Sequence, residues 1–126
     1  MLRFIIAAMT LFALSLPAEA RRYHHKRHAV LVAAHGDYRP RAWCGWWMRH
    51  RLGVADTAGN VARWWARYGR NAGGPAAGTI VVWNHHVGII TGGSPGAWIV
   101  KSGNDGNAVR ERVLPLGRAI AFRWPS

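Results

Sequence analysis

The spacing of apolar residues changes once along this chain, at Asn71 to Gly78 (NAGGPAAG), and that change constrains the fold more than any other feature. Ahead of it, apolar side chains recur at the intervals of a helix face; beyond it, they form short runs separated by turn residues. Trp43 to Leu52 reads as a helix with Cys44, Trp47, Met48 and Leu52 near one face and Gly53 as its stop. Asn60 is placed to cap a second helix, in which Val61, Trp64, Trp65 and Tyr68 fall at i, i+3, i+4 and i+7 before Gly69. After the Gly- and Pro-containing loop, Thr79 to Trp83 (TIVVW) reads as a buried strand, Asn84-His85 as a turn and His86 to Thr91 as a second strand. Gly92 to Gly96 forms a hairpin turn into Ala97 to Lys101, and the loop Ser102 to Asn107 leads to two more strands, Ala108 to Leu114 and Ala119 to Arg123. Helices first and a meandering antiparallel sheet afterwards predict an α+β domain.

The first residues do not belong to that domain. A basic start, Met1 to Arg3, precedes an apolar run from Phe4 to Leu16, then Pro17 and Ala18-Glu19-Ala20. This is the layout of an export signal, with cleavage expected after Ala20. The competing reading, a membrane anchor, needs a run of about 20 apolar residues, and this one is shorter. The expected organisation is therefore a signal peptide at 1–20, a basic His-rich arm at 21–37 and one domain at 38–126. The mature protein is expected in the periplasm or outside the cell, as a monomer with no membrane span.

Charge narrows the partners. The chain carries 17 Lys+Arg against 5 Asp+Glu, a formal +12, and cleavage removes Arg3 and Glu19 together, leaving that balance unchanged. Such a field favours anionic polymers of the cell envelope, lipid headgroups or nucleic acid, and export disfavours intracellular nucleic acid as the partner. In the arm RRYHHKRH, His24, His25 and His28 offer nitrogen ligands, but no Cys or carboxylate cluster closes a metal site. Neither a resident metal nor any other cofactor is expected.

Cys44 is the only cysteine. A lone thiol in an exported protein is a reactive group, an intermolecular bridge or a buried apolar filler. Its place at the start of a predicted helix favours the first, because unpaired N–H groups and the helix dipole lower a thiol pKa. His86, opening a strand at the rim of the sheet, is the candidate base, and strand alternation turns His85 to the other face. If the hairpin turn centres on Ser94, Ile90 faces Trp98, Gly88 faces Val100 and His86 faces Ser102. Asn104 then lies just past the pairing, where its side-chain carbonyl can orient the imidazole, with Asp105 as the alternative third group. Simple turn chemistry also accounts for Asn104-Asp105-Gly106-Asn107.

The ordered set Trp43-Cys44, Gly78-Thr79-Ile80-Val81-Val82-Trp83, His86-Val87-Gly88-Ile89-Ile90 and Gly103-Asn104, closed by Phe122-Arg123-Trp124-Pro125, resembles the CHAP and NlpC-type papain-like cysteine hydrolases. The resemblance spans about Tyr38 to Pro125. It implies a papain-like fold and cleavage of amide bonds in peptidoglycan, with Cys44 as nucleophile, His86 as general base then acid, and Asn104 orienting the ring. Thr79 and Asp105 depart from the family's usual residues, Asp and Gln. Three other readings stay open: a hydrolase of another amide or ester with the same dyad, a non-enzymatic cationic envelope-binding protein, and a metal-handling protein using His24, His25, His28, His85 and His86. For the second, Arg63-Trp64-Trp65-Ala66-Arg67 would grip anionic glycans or lipid headgroups.

Overall fold

The computed structural model describes residues 37–125. The expected signal peptide and the arm up to residue 36, including His24, His25 and His28, lie outside the described residues.

Helix α1 spans Cys44–Leu52. Trp43 occupies the cap position without a side-chain hydrogen bond, and Gly53 ends the helix in the left-handed conformation, its N–H bonded to the Arg49 carbonyl. Arg49, His50 and Arg51 fill the last turn, where cations oppose the negative end of the dipole. Cys44 and Met48, one turn apart, are buried, and Trp47 and Leu52 pack beside them.

The second helical segment differs from expectation. Asp56 caps a short 3₁₀ turn, Thr57–Asn60, by accepting the Ala58 N–H at 2.9 Å, and a second 3₁₀ segment follows at Ala62–Arg67. Asn60 does not cap an α-helix, because its side-chain oxygen receives the Arg49 guanidinium at 2.8 Å. The buried positions Ala62 and Trp65 are three apart, the period of a 3₁₀ helix, and the Trp65 indole is fixed to the Gly59 carbonyl at 2.7 Å. Val61, expected on the core face, is 62% exposed.

Six strands form one antiparallel sheet in the order β1-β6-β2-β3-β4-β5. They are β1 Arg70–Asn71, β2 Ile80–Val82, β3 Val87–Gly92, β4 Ile99–Ser102, β5 Arg110–Val113 and β6 Ala121–Trp124. The two-residue β1, which overlaps the first residue of the expected loop, Asn71, pairs with β6. Strands β2 to β5 meander, whereas β6 returns to the far side of β2. Both sheet faces are covered. Ile80, Val82 and Val87 pack with Cys44, Met48 and Trp65 on one side; Val81, Ile90 and Val100 meet Trp98, Leu114 and Phe122 on the other. Coverage on both faces explains why β2 reads as an unbroken apolar run. The edge strand β5 is exposed throughout and carries Arg110, Glu111 and Arg112, charges that discourage pairing with another chain. The described residues thus form an α+β domain.

Candidate active site

Cys44 is the first residue of α1 and is 3% exposed. Its Sγ donates a long hydrogen bond to the His85 carbonyl at 3.9 Å, and the N–H groups of Val87, Gly45 and Cys44 itself are directed at the sulfur. The sulfur therefore sits against the peptide groups on either side of His86. Burial pushes the thiol pKa above its usual value, and the three N–H groups, which favour thiolate, offset this only in part. The helix start alone suggests an activated thiolate; in the free protein, desolvation wins.

His86 is half-buried just before β3, its carbonyl bonded to the Trp83 N–H at 2.8 Å. Because residues 84–85 form a bend rather than strand, alternation does not separate the two histidines. Trp83, Asn84, His85, His86 and Arg118 line one open cleft of about 300 Å³. The Trp83 and His86 rings lie 5.6 Å apart, tilted by 37°.

The ring partner of His86 is Ser102. Nε2 lies 2.9 Å from the Ser102 hydroxyl oxygen, and Ser102 is fully buried at the end of β4. The hairpin register does not by itself account for Ser102 in place of the expected Asn104. Ile90 pairs with Val100 and Ile89 with Lys101, a shift of two residues from the expected pairing, and an irregularity sits between Ile90 and Gly92. Continued along both strands, this register sets Gly88 opposite Ser102 and His86 opposite Asn104. The imidazole reaches diagonally to Ser102, which packs against Gly88 so closely that an added Cβ there would lie 3.0 Å from the Ser102 Cβ.

Asn104 and Asp105 occupy a loop fixed next to the start of α1. Gly103 packs so closely on Trp47 and Trp43 that an added Cβ would lie 2.5 Å from the Trp47 Cβ. The Trp43 indole donates to the Asn107 side chain at 3.2 Å. Asn104 and Asn107 adopt φ of 53° and 60°, the left-handed region that Asn tolerates best after Gly. The Asn104 side chain makes no hydrogen bond to a described residue. Asp105 is held by Arg112 through a fork of two bonds, 2.6 and 2.7 Å, which lowers its carboxyl pKa. It reaches His86 only through its field. Burial lowers the His86 pKa, Asp105 raises it and Arg112 lowers it further.

Thr79 closes the turn before β2, donating from Oγ1 to the Ala76 carbonyl at 2.7 Å, so its role is local. No group of three or more potential metal ligands occurs among the described residues, and no described helix is long and apolar enough to cross a membrane. One end of the sheet thus gathers the Cys44 thiol, the His86 imidazole, the Ser102 hydroxyl and the 103–107 loop, but no hydrogen bond joins Cys44 to the His86 ring. The expected pairing set Ser102 opposite His86, but a serine at a strand end carries no pattern that marks it as a ring partner. No family model, curated protein or solved structure matches the chain.

Proposed function

We propose that this chain is an exported cysteine hydrolase of papain-like (CHAP or NlpC) type that cleaves amide bonds of peptidoglycan. The observation that supports the reading best is the seat of Cys44: a sulfur at the first residue of a helix, against the backbone that carries His86, with three N–H groups directed at it. In the reaction, the thiol proton passes to His86 and Sγ attacks the amide carbonyl carbon. The tetrahedral intermediate collapses as His86 protonates the departing nitrogen, the C–N bond breaks and a thioester remains. Water, giving its proton to His86, attacks the thioester; the C–S bond breaks, a carboxylic acid leaves and the thiol is restored.

Ser102 has the orienting role in this scheme. By accepting the Nε2–H, its hydroxyl leaves Nδ1 free as the base, and it accepts equally from the imidazolium that forms. Proton transfer requires Nδ1 and Sγ within hydrogen-bond reach, about 3 Å, and such contacts commonly tighten only when substrate binds. In the free protein the thiol is held instead by the His85 carbonyl.

Digestion of purified peptidoglycan by the mature protein, followed by mass analysis, tests this. Fragments with a new amine and a new carboxyl terminus are expected, and Cys44→Ser should release them at least about a hundredfold more slowly. Undiminished digestion by that variant rules the mechanism out. One observation favours a second reading, a non-enzymatic cationic binding protein: the thiol is 3% exposed and unbonded to His86. That protein would sediment with peptidoglycan in a salt-sensitive way, indifferent to Cys44→Ser, and release nothing.

A further inference from the structure

We propose that the groove over the Ala62–Arg67 segment is a binding subsite for the peptidoglycan strand, leading away from the His86 cleft. The inference rests on peptidoglycan being the substrate. The groove has a volume of about 980 Å³, large enough for a short glycan with its attached peptide, and it contains no nucleophile. Trp64 and Tyr68 form its aromatic wall, their rings 5.6 Å apart and tilted by 33°, and Val61 and Ile120, 62% and 45% exposed, complete the apolar lining. Neither the Trp64 indole N–H nor the Tyr68 hydroxyl hydrogen-bonds to a described residue. Flat apolar faces beside free donors suit sugar rings, which present C–H faces edged by hydroxyls.

Charge selects the anionic polymer. Arg63 and Arg67 stand on the groove and are exposed, and neither makes an ion pair with a described residue. Two free guanidinium forks match the carboxylates of stem peptides. The groove and the His86 cleft share no lining residue, but one short segment of chain supplies a residue to each. The Ile120 N–H bonds the Val82 carbonyl at 2.7 Å, and Arg118, two residues earlier, lines the His86 cleft. Two residues of chain span at most roughly 7 Å, so a polymer of a few sugars reaches from one to the other.

Cosedimentation of full-length Cys44→Ala protein with purified peptidoglycan tests the subsite without any catalysis. The double variant R63Q/R67Q and, from the other wall, Ile120→Glu should each bind about tenfold more weakly or worse, with unchanged thermal melting. Binding by both variants equal to the parent overturns the proposal. So does association with phosphatidylglycerol vesicles but not with peptidoglycan, which would make the groove a lipid site. Failure of the Cys44-containing protein to release fragments would instead sink the hydrolase reading and leave the binding result standing.

Discussion

His86 Nε2 and Ser102 Oγ are hydrogen-bonded at 2.9 Å, joining the residue before β3 to the last residue of β4. The Ser102 hydroxyl is fully buried, so the ring is its natural partner, and that partner fixes which ring nitrogen is left for chemistry. In the free protein no hydrogen bond joins the imidazole to Cys44, whose thiol donates to the His85 carbonyl instead.

Ser102→Ala frees the imidazole from its orienting contact. Peptidoglycan hydrolysis is expected to fall about a hundredfold in kcat, because the misplaced ring no longer meets the thiol and leaving nitrogen together. Ser102→Thr keeps a hydroxyl and should recover part of the loss. Equal activity in the alanine variant and the parent would show that Asn104 or water orients the ring instead.

The Cys44 thiol should react slowly with iodoacetamide at neutral pH. Its pKa is raised, which leaves less thiolate at pH 7 than a free cysteine has, and burial blocks access as well. The rate should climb with pH past about 9 rather than saturate near 7. Fast labelling at pH 6 would contradict the structure. A substrate fragment that accelerates labelling would show the thiol being engaged by His86.

His86 gives stability a pH dependence of definite sign. Its pKa is lowered in the folded protein, so between that value and about 6.5 the unfolded chain binds the extra proton. Stability is complete above about 6.5 and declines as pH falls through the folded value. Urea unfolding from pH 8 to 5 should show the decline, and His86→Gln should flatten it. Asp105→Asn removes the charge that raises the His86 pKa, so an NMR titration of that variant should place the ring lower still.

Arg49 holds the first helix to the 3₁₀ turns. Its buried guanidinium reaches the Val54 carbonyl at 3.2 Å, the Ala55 carbonyl at 3.0 Å and the Asn60 side chain at 2.8 Å. Arg49→Leu orphans these acceptors and should cost about 2–4 kcal/mol in urea unfolding. Lysine cannot reproduce the planar fork, so Arg49→Lys should recover little of it.

Local sequence determined the elements but not all of their geometry. The change of period at Asn71 to Gly78 foretold helix before sheet, and Cys44 does begin a helix that Gly53 stops, although its buried residues, Cys44, Gly45, Met48 and Arg49, are only partly apolar. The strands fall within a few residues of their expected places, since short apolar runs between turn residues have little other choice. Sequence reading missed the 3₁₀ segment, because the Asn60 side chain is taken by Arg49, a partner eleven residues away. It missed the two-residue β1, which exists only through pairing with β6 at the far end of the chain.

The site divides in the same way. Cys44 and His86 stand out as residue types, and the fold does bring the thiol to the peptide groups that flank His86. Which group holds the ring was decided by side-chain packing: the β3–β4 register sets Asn104 opposite His86, yet the imidazole bonds Ser102. Whether the thiol is activated was decided by burial, a sum over neighbours from α1, the 3₁₀ segment and two strands. Periodicity and capping are properties of adjacent residues and can be read along a chain; register and desolvation depend on residues distant in sequence, and only packing sets them.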